Sequence, residues 1–185
     1  MVERSFRVRK AAGSNPVFPK YNIHRMHQTL SNIKIEKANQ KDWDSILKLL
    51  EETNLTFWFT GNENYSQFYT IRDPNNKNII CCFAIEHENK TGILKSFAVS
   101  KDLQGTGIGK FIVNNKIKDI SKGLGISQLF AASQEAPGFW QKTIFKEIKF
   151  SEIKDNFFLE YLKKSCLKIK SGNYYEMTHY FLLDI

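Results

Sequence analysis

At 185 residues, 42% of them hydrophobic, the chain can bury the core of one domain and still carry an extension. No apolar run approaches the roughly 18 residues that cross a bilayer, which excludes a helical membrane protein. The net charge of +8 gathers in residues 1–31, where Arg4, Arg7, Arg9, Lys10, Lys20 and Arg25 face Glu3 alone. The remainder is too weakly basic for a nucleic-acid footprint, yet it suits an anionic cofactor.

Residues 1–31 are broken by Gly13, Pro16 and Pro19 and show no sustained apolar period. They read as a flexible basic extension or leader. An organellar targeting segment and an ordered arm stay open as alternatives, and no function is assigned to them. A folded domain is predicted over 32–185. Residues 33–38 alternate like a strand with one buried face. Asp42 introduces a helix whose Trp43, Ile46, Leu47, Leu49 and Leu50 fall at helical spacing and which ends near Asn54. The aromatic stretch 55–59 reads as a second short helix that packs as core or lid, or contacts substrate. Strands follow at 67–71, 79–85 and 93–99, separated by turns at 73–76 and 88–92, and together they predict an antiparallel meander. After Gly109 a helix runs to about Gly123 with Val113, Ile117, Ile120 and Leu124 along one side. A buried strand at 126–132 comes next, and Pro137 then suits the first turn of a helix through about Lys146. Residues 155–167 form an amphipathic helix in an insertion before an aromatic end strand at 175–183, which is suited to a dimer contact. The class is mixed α+β.

The three cysteines suggest neither a bridge nor a metal site. Cys81 and Cys82 are adjacent in an apolar run, Cys166 stands alone, and His24, His27, His87 and His179 do not cluster with them. A reducing cytoplasm and no structural metal are the expectation.

The chemistry-bearing stretch is Phe97-Ala98-Val99-Ser100-Lys101-Asp102-Leu103-Gln104-Gly105-Thr106-Gly107-Ile108-Gly109-Lys110. Three glycines at alternate positions separate a buried strand from a helix. Glycine permits a tight turn and close approach of backbone to ligand. The open N–H groups of the first helical turn, with the helix dipole, make a site for phosphate or pyrophosphate, and Lys110 adds a charge. The P-loop pattern fails, because Gln104 stands where its first glycine belongs and Phe111 follows the lysine. The dinucleotide fingerprint fails at its third glycine, counted from either Gly105 or Gly107. A connector without ligand remains the bland alternative.

Gln104-Gly105-Thr106-Gly107-Ile108-Gly109 resembles the Q/R-x-x-G-x-G/A signature of GNAT acetyltransferases. Leu94 to Val99 looks like the strand which that family sets before the turn, and 135–148 is similar to its later helix. The resemblance covers 32–185. It implies a central, mostly antiparallel twisted sheet flanked by helices, with a V-shaped cofactor cleft. It further implies that backbone groups of Phe97, Ala98 and Val99 pair with the pantetheine arm of acetyl-CoA. The N–H groups from Gln104 to Lys110 would hold the pyrophosphate, Ser133 would lie near the cofactor, and Phe139 and Trp140 would line the thioester end. A primary amine, on a small molecule or a protein, would attack the thioester directly, with an N–H from Val99 stabilising the oxyanion.

Two family features are absent. Trp140 stands where many members carry a tyrosine that protonates the thiolate, and indole is a donor only. Ile93 is apolar where a carboxylate sometimes sits. Glu86, His87 and Glu88 read as a solvated turn, Glu51 and Glu52 as exposed helix carboxylates, and Tyr65 and Tyr69 as core-edge packing, so no catalytic base is named. The leading function is a cytoplasmic N-acetyltransferase with no nucleic-acid or membrane partner. A non-catalytic acyl-CoA-binding or sensing module is the alternative, and a basic-tailed adaptor rests on 1–31 alone.

Overall fold

The computed structural model describes residues 33–55, 63–166 and 178–185. The basic segment 1–31, nearly all of the aromatic stretch 55–59 and the start of the expected end strand lie outside the described residues.

The chain runs β1 (Ile35–Lys37), α1 (Trp43–Glu52), β2 (Phe68–Arg72), β3 (Ile79–Glu88), β4 (Thr91–Val99) and α2 (Ile108–Ile112). A π-turn at Val113–Ile117 carries α2 without a break into α3 (Lys118–Gly123). Then come β5 (Gln128–Ser133), α4 (Pro137–Trp140), β6 (Lys146–Ile148), α5 (Asn156–Cys166) and β7 (His179–Asp184). Among the described residues the strands form one seven-stranded sheet in the order β1-β2-β3-β4-β5-β7-β6. Every neighbouring pair is antiparallel except β4 with β5. The predicted meander is β2-β3-β4, and the helix from α2 to α3 is the crossover that a parallel pair requires.

Both faces of the sheet are covered, which explains why Cys81 to Ile85 are buried without alternation. On one face Ile46, Leu49 and Leu50 of α1 pack on Phe68, Cys82, Ala84 and Ala98. Farther along that face Phe158, Tyr161 and Leu162 of α5 pack on Ile93, Phe130 and Tyr180. The β3–β4 hairpin is longer than the sequence suggests. Its turn is only Asn89-Lys90, with Asn89 at φ +51° and Glu88 paired to Thr91. A bulge in β4 sets two residues, Ser96 and Phe97, opposite Phe83, and Ser96 takes φ +54° there.

The helix expected from Pro137 through Lys146 stops at Trp140. The Thr143 hydroxyl donates to the Trp140 carbonyl at 2.7 Å, and Asn114 Oδ1 accepts the Ile144 N–H at 3.0 Å. These bonds draw the chain off the helical path and into β6, which pairs with β7. β7 therefore lies between β5 and β6, and β6 covers its outer edge from Tyr180 to Leu182.

Candidate functional site

β4 and β5 hydrogen-bond only where Thr91, Gly92 and Ile93 face Gln128, Leu129 and Phe130. Past that point β4 continues to Val99 and β5 to Ser133, with β5 held on its other side by β7. The two strands diverge and open a V-shaped cleft with Ile93 at its apex. Ser100 donates its N–H to Ile80 on the β3 side at 2.9 Å. By strand alternation, the backbone groups of Val99 point to the other edge, into the cleft.

The glycine turn lies at the far end of β4. Gln104 Nε2 donates to the Val99 carbonyl at 2.9 Å, which ties the turn to the strand. Gly105 and Gly107 have φ of +75° and +90°, and an added Cβ would meet nothing within 4 Å at either. Their requirement is conformational rather than spatial. Gly109 differs, since a Cβ there would lie 3.3 Å from Phe139 and 3.4 Å from Phe97 and Val99. It lets α2 sit close against β4 and α4. The first helical bond runs from the Phe111 N–H to the Gly107 carbonyl at 2.9 Å, so the N–H groups of Ile108, Gly109 and Lys110 precede the ladder. Those of Gln104 and Thr106 are used inside the turn, by Ser100 and Leu103, and the Thr106 hydroxyl donates to the Leu103 carbonyl at 2.6 Å. The anion-binding capacity of the turn is thus concentrated in Gly105 and 107–110, with Lys110 exposed beside them.

An aromatic column forms the wall of this side. Phe97 stacks on Phe83 and on Phe139, each with centroids 5.8 Å apart, and lies 6.0 Å from Trp140. Trp140 also packs on Phe145 and Phe181 and is only 6% exposed, so it is a core side chain that fastens α4 to β4 and β7. Phe139 is half-buried and nearer the surface. Ser133 ends β5, and its buried hydroxyl accepts the Ala136 N–H at 3.2 Å. The Ala98 side chain is buried against the α1 face, and by the same alternation its backbone turns toward β3.

The sheet face that carries α1 and α5 holds a group the sequence reading missed. Lys95 is buried. Its Nζ lies 2.6 Å from Glu86 Oε2 and 3.5 Å from Glu63 Oε1, with the Tyr161 ring 5.7 Å away. Glu86 is therefore not part of a solvated turn but a strand residue paired to a buried cation. The available signal was Lys95 itself, two residues from Ile93 on the inward side of an apolar strand. The other acid–base candidates are not drawn in. His87, Glu88, Glu51 and Glu52 are exposed. Tyr65 packs against the α1 cluster. Tyr69 stacks on Phe83 at 5.3 Å, and burial raises its phenol above the ordinary range. Burial also pushes the Cys82 thiol up to about 12 and the Cys81 thiol well up, with the neighbouring Cys82 adding to the latter. Both stay protonated and inert.

Among the described residues, no group of three or more His, Cys, Asp or Glu is placed to hold a metal. No helix among them is long and apolar enough to cross a membrane. A hollow of about 380 Å³ bordered by Phe130, Ile148 and Asp155 lies away from the glycine turn.

No protein-family model matches the sequence, and no curated protein matches it. Solved structures do. The chain is similar to N-acetylglutamate synthase from Neisseria gonorrhoeae complexed with coenzyme A and N-acetyl-glutamate, at 21% identity and a TM-score of 0.64 over 82% of this chain. It spans only 35% of that synthase. A Mycobacterium tuberculosis protein in complex with CoA matches at 18% identity and a TM-score of 0.62, over 82% of this chain and 99% of that one. A GNAT-family acetyltransferase from Staphylococcus aureus matches at 14% identity and a TM-score of 0.57, over 82% and 98%. Likeness at such identities establishes the fold.

Proposed function

We infer that this chain, which has the fold of the GNAT acetyltransferases, is an N-acyltransferase that moves an acetyl group from acetyl-CoA to a primary amine by direct attack on the thioester. The observation that carries the reading is the junction of two features. β4 and β5 part just beyond Ile93, and the β4 arm of the resulting cleft ends on the glycine turn. A cofactor with an extended amide-bearing arm and a pyrophosphate matches both parts at once.

In this reading the N–H groups of Gly105 and 107–110, with Lys110, hold the pyrophosphate. The cleft-facing backbone groups of Phe97 and Val99, with Ala98 between them, take the arm as an added strand. Ser133 borders the opposite arm of the cleft, Phe139 lines it, and Trp140 fixes Phe139 in place. Catalysis is then chiefly positioning, with the Val99 N–H at the developing oxyanion. Trp140 is donor-only and buried, so no acid is assigned to the departing sulfur. A thiolate is a fair leaving group and takes its proton from solvent. A cytoplasmic site of action and an amine acceptor belong to the same proposal.

Trp140, packed in the core where a proton donor would serve, favours one second reading, a module that binds acyl-CoA without turnover. Release of free thiol from acetyl-CoA over a panel of primary amines separates the two. Steady, amine-dependent release supports the transferase. Saturable binding with no release across the panel supports the binding module.

A further inference from the structure

The segment that follows α4 is held by a helix from elsewhere in the chain. Ile144 donates its N–H to Asn114 Oδ1 at 3.0 Å, and Asn114 belongs to the π-turn between α2 and α3. Single π-turns inside α-helices recur at functional sites. This one keeps Val113 and Ile117 fully buried while Asn114 reaches across to the neighbouring segment. Asn115 braces the turn by donating Nδ2 to the Phe111 carbonyl at 2.9 Å. The same helix begins on the glycine turn, and Phe139 packs on its Gly109. α4 and its exit are therefore fastened to one helix at two points.

What the Asn114 bond holds is the aromatic wall. Ile144 is joined directly to Phe145, which is buried and packs on Trp140 at 5.3 Å. Trp140 in turn lies 5.2 Å from Phe139 and 6.0 Å from Phe97. All three are attractive edge-to-face spacings. Rings packed at the density of a crystal do not give way singly. For Phe139 or Trp140 to withdraw from the cleft, Phe145 must shift, and that shift pulls on the Asn114 bond. The Thr143 hydroxyl donates to the Trp140 carbonyl and accepts the Phe145 N–H, so both of its bonds move with the segment. The Asn114 bond does not, because it ends on the helix that carries the glycine turn.

We propose that Asn114 is a positioning residue for the acyl end of the cofactor: by holding Ile144 it keeps the wall of Phe145, Trp140 and Phe139 closed, and so restricts the donor to a short acyl group. The proposal rests on the acyltransferase reading, in which that wall borders the thioester. An acetyl group is bound with the wall closed. A longer chain needs the wall withdrawn, so its apparent affinity is scaled by the fraction of molecules in which it is open. Removing one hydrogen bond of ordinary net strength raises that fraction about fivefold. Affinity for a longer thioester then rises in the variant, whereas ligands that need no opening bind as before. A general loss of structure would weaken all of them.

The test is calorimetric titration of CoA, acetyl-CoA and butyryl-CoA into the unchanged protein, Asn114→Ala and Asn114→Asp. The unchanged protein is expected to bind butyryl-CoA at least about tenfold more weakly than acetyl-CoA. In Asn114→Ala the butyryl-CoA affinity is expected to rise about fivefold, with CoA and acetyl-CoA unchanged. Asn114→Asp keeps an oxygen for the Ile144 N–H and is expected to restore the original preference. Equal binding of acetyl-CoA and butyryl-CoA by the unchanged protein would overturn the proposal and leave the cofactor site standing. A common loss for all three ligands in Asn114→Ala would make Asn114 structural and overturn it too, as would an unaltered preference. An aspartate variant that behaves as the alanine one would overturn the role of the hydrogen bond. No binding of CoA or acetyl-CoA by the folded unchanged protein overturns the reading beneath. Should Asn114→Ala not fold, Asn114→Gln displaces the acceptor by one methylene. The same selective gain for butyryl-CoA is expected of it, and its absence would overturn the assignment.

Discussion

Replacing Lys95 by Met removes a charge and keeps nearly all of the side chain's volume. Nζ has Glu86 at 2.6 Å and Glu63 at 3.5 Å, and the Glu63 side chain is only 2% exposed. Without the ammonium, the Glu63 and Glu86 carboxylates lose the cation they share. Breaking a buried pair by deleting one partner costs about 3–5 kcal/mol. A domain of this size has a total stability on the order of 5–15 kcal/mol, so the loss is large. With a urea slope of about 2 kcal/mol/M, the unfolding midpoint should fall by roughly 1.5–2.5 M. Chemical denaturation followed by circular dichroism measures it directly. Adding Glu63→Gln and Glu86→Gln to Lys95→Met removes the uncompensated charge and should recover most of the loss. A single variant within about 0.3 M of the unchanged protein would refute the premise that Lys95 is a buried cation.

Other expectations follow from the same geometry. Gly107→Ala forces a β-carbon onto φ +90° and should cost about 1–2 kcal/mol of stability with a clear loss of acetyl-CoA affinity. Thermal melts and calorimetry of the same sample read both. Asn114→Ala frees the Ile144 N–H from its 3.0 Å acceptor and should cost about 1 kcal/mol, with increased hydrogen exchange confined to the segment after Trp140. Cys82 is raised from 9.0 to about 12 in the folded protein, so the native state holds a proton the unfolded chain releases. Stability is complete below pH 9 and should fall between pH 9 and about 12, by about 1.4 kcal/mol per pH unit for that thiol. Denaturation midpoints across that range check the sign, and a rise would contradict it.

The meander and the crossover helix were legible because their apolar spacing is set by a buried face. Ile46, Leu49 and Leu50 can serve only a helix against a sheet, and Gly105, Gly107 and Gly109 can hardly be read as a strand interior. β6 was not legible. Lys146-Glu147-Ile148 has no alternation of its own and becomes a strand only because β7 offers it an edge. The shortened α4 depends on Asn114, thirty residues upstream of Ile144, and local propensity carries no record of that bond. The π-turn at Val113–Ile117 was hidden for another reason, since Val113 and Ile117 are buried in a helix of either winding. The Lys95 cluster lay between these extremes. Asn89-Lys90 is a turn of two residues, and counting back from Glu88 opposite Thr91 sets Glu86 against Ile93. Reading the turn as five residues loses that register, and with it the pairing of Glu86 with Ile93. Glu63 is bound to the cluster through tertiary contact alone, so neither spacing nor period could have marked it.

The most direct test of the central claim is calorimetric titration of acetyl-CoA into the purified protein, alongside Gly107→Trp. Gly107 is exposed and a Cβ there meets no neighbour, so the variant disturbs the turn rather than the core. Saturable one-to-one binding that disappears in the folded variant is the expected result. Equal binding by both proteins, or none by the folded unchanged protein, would contradict the assignment of the cleft and glycine turn to the cofactor.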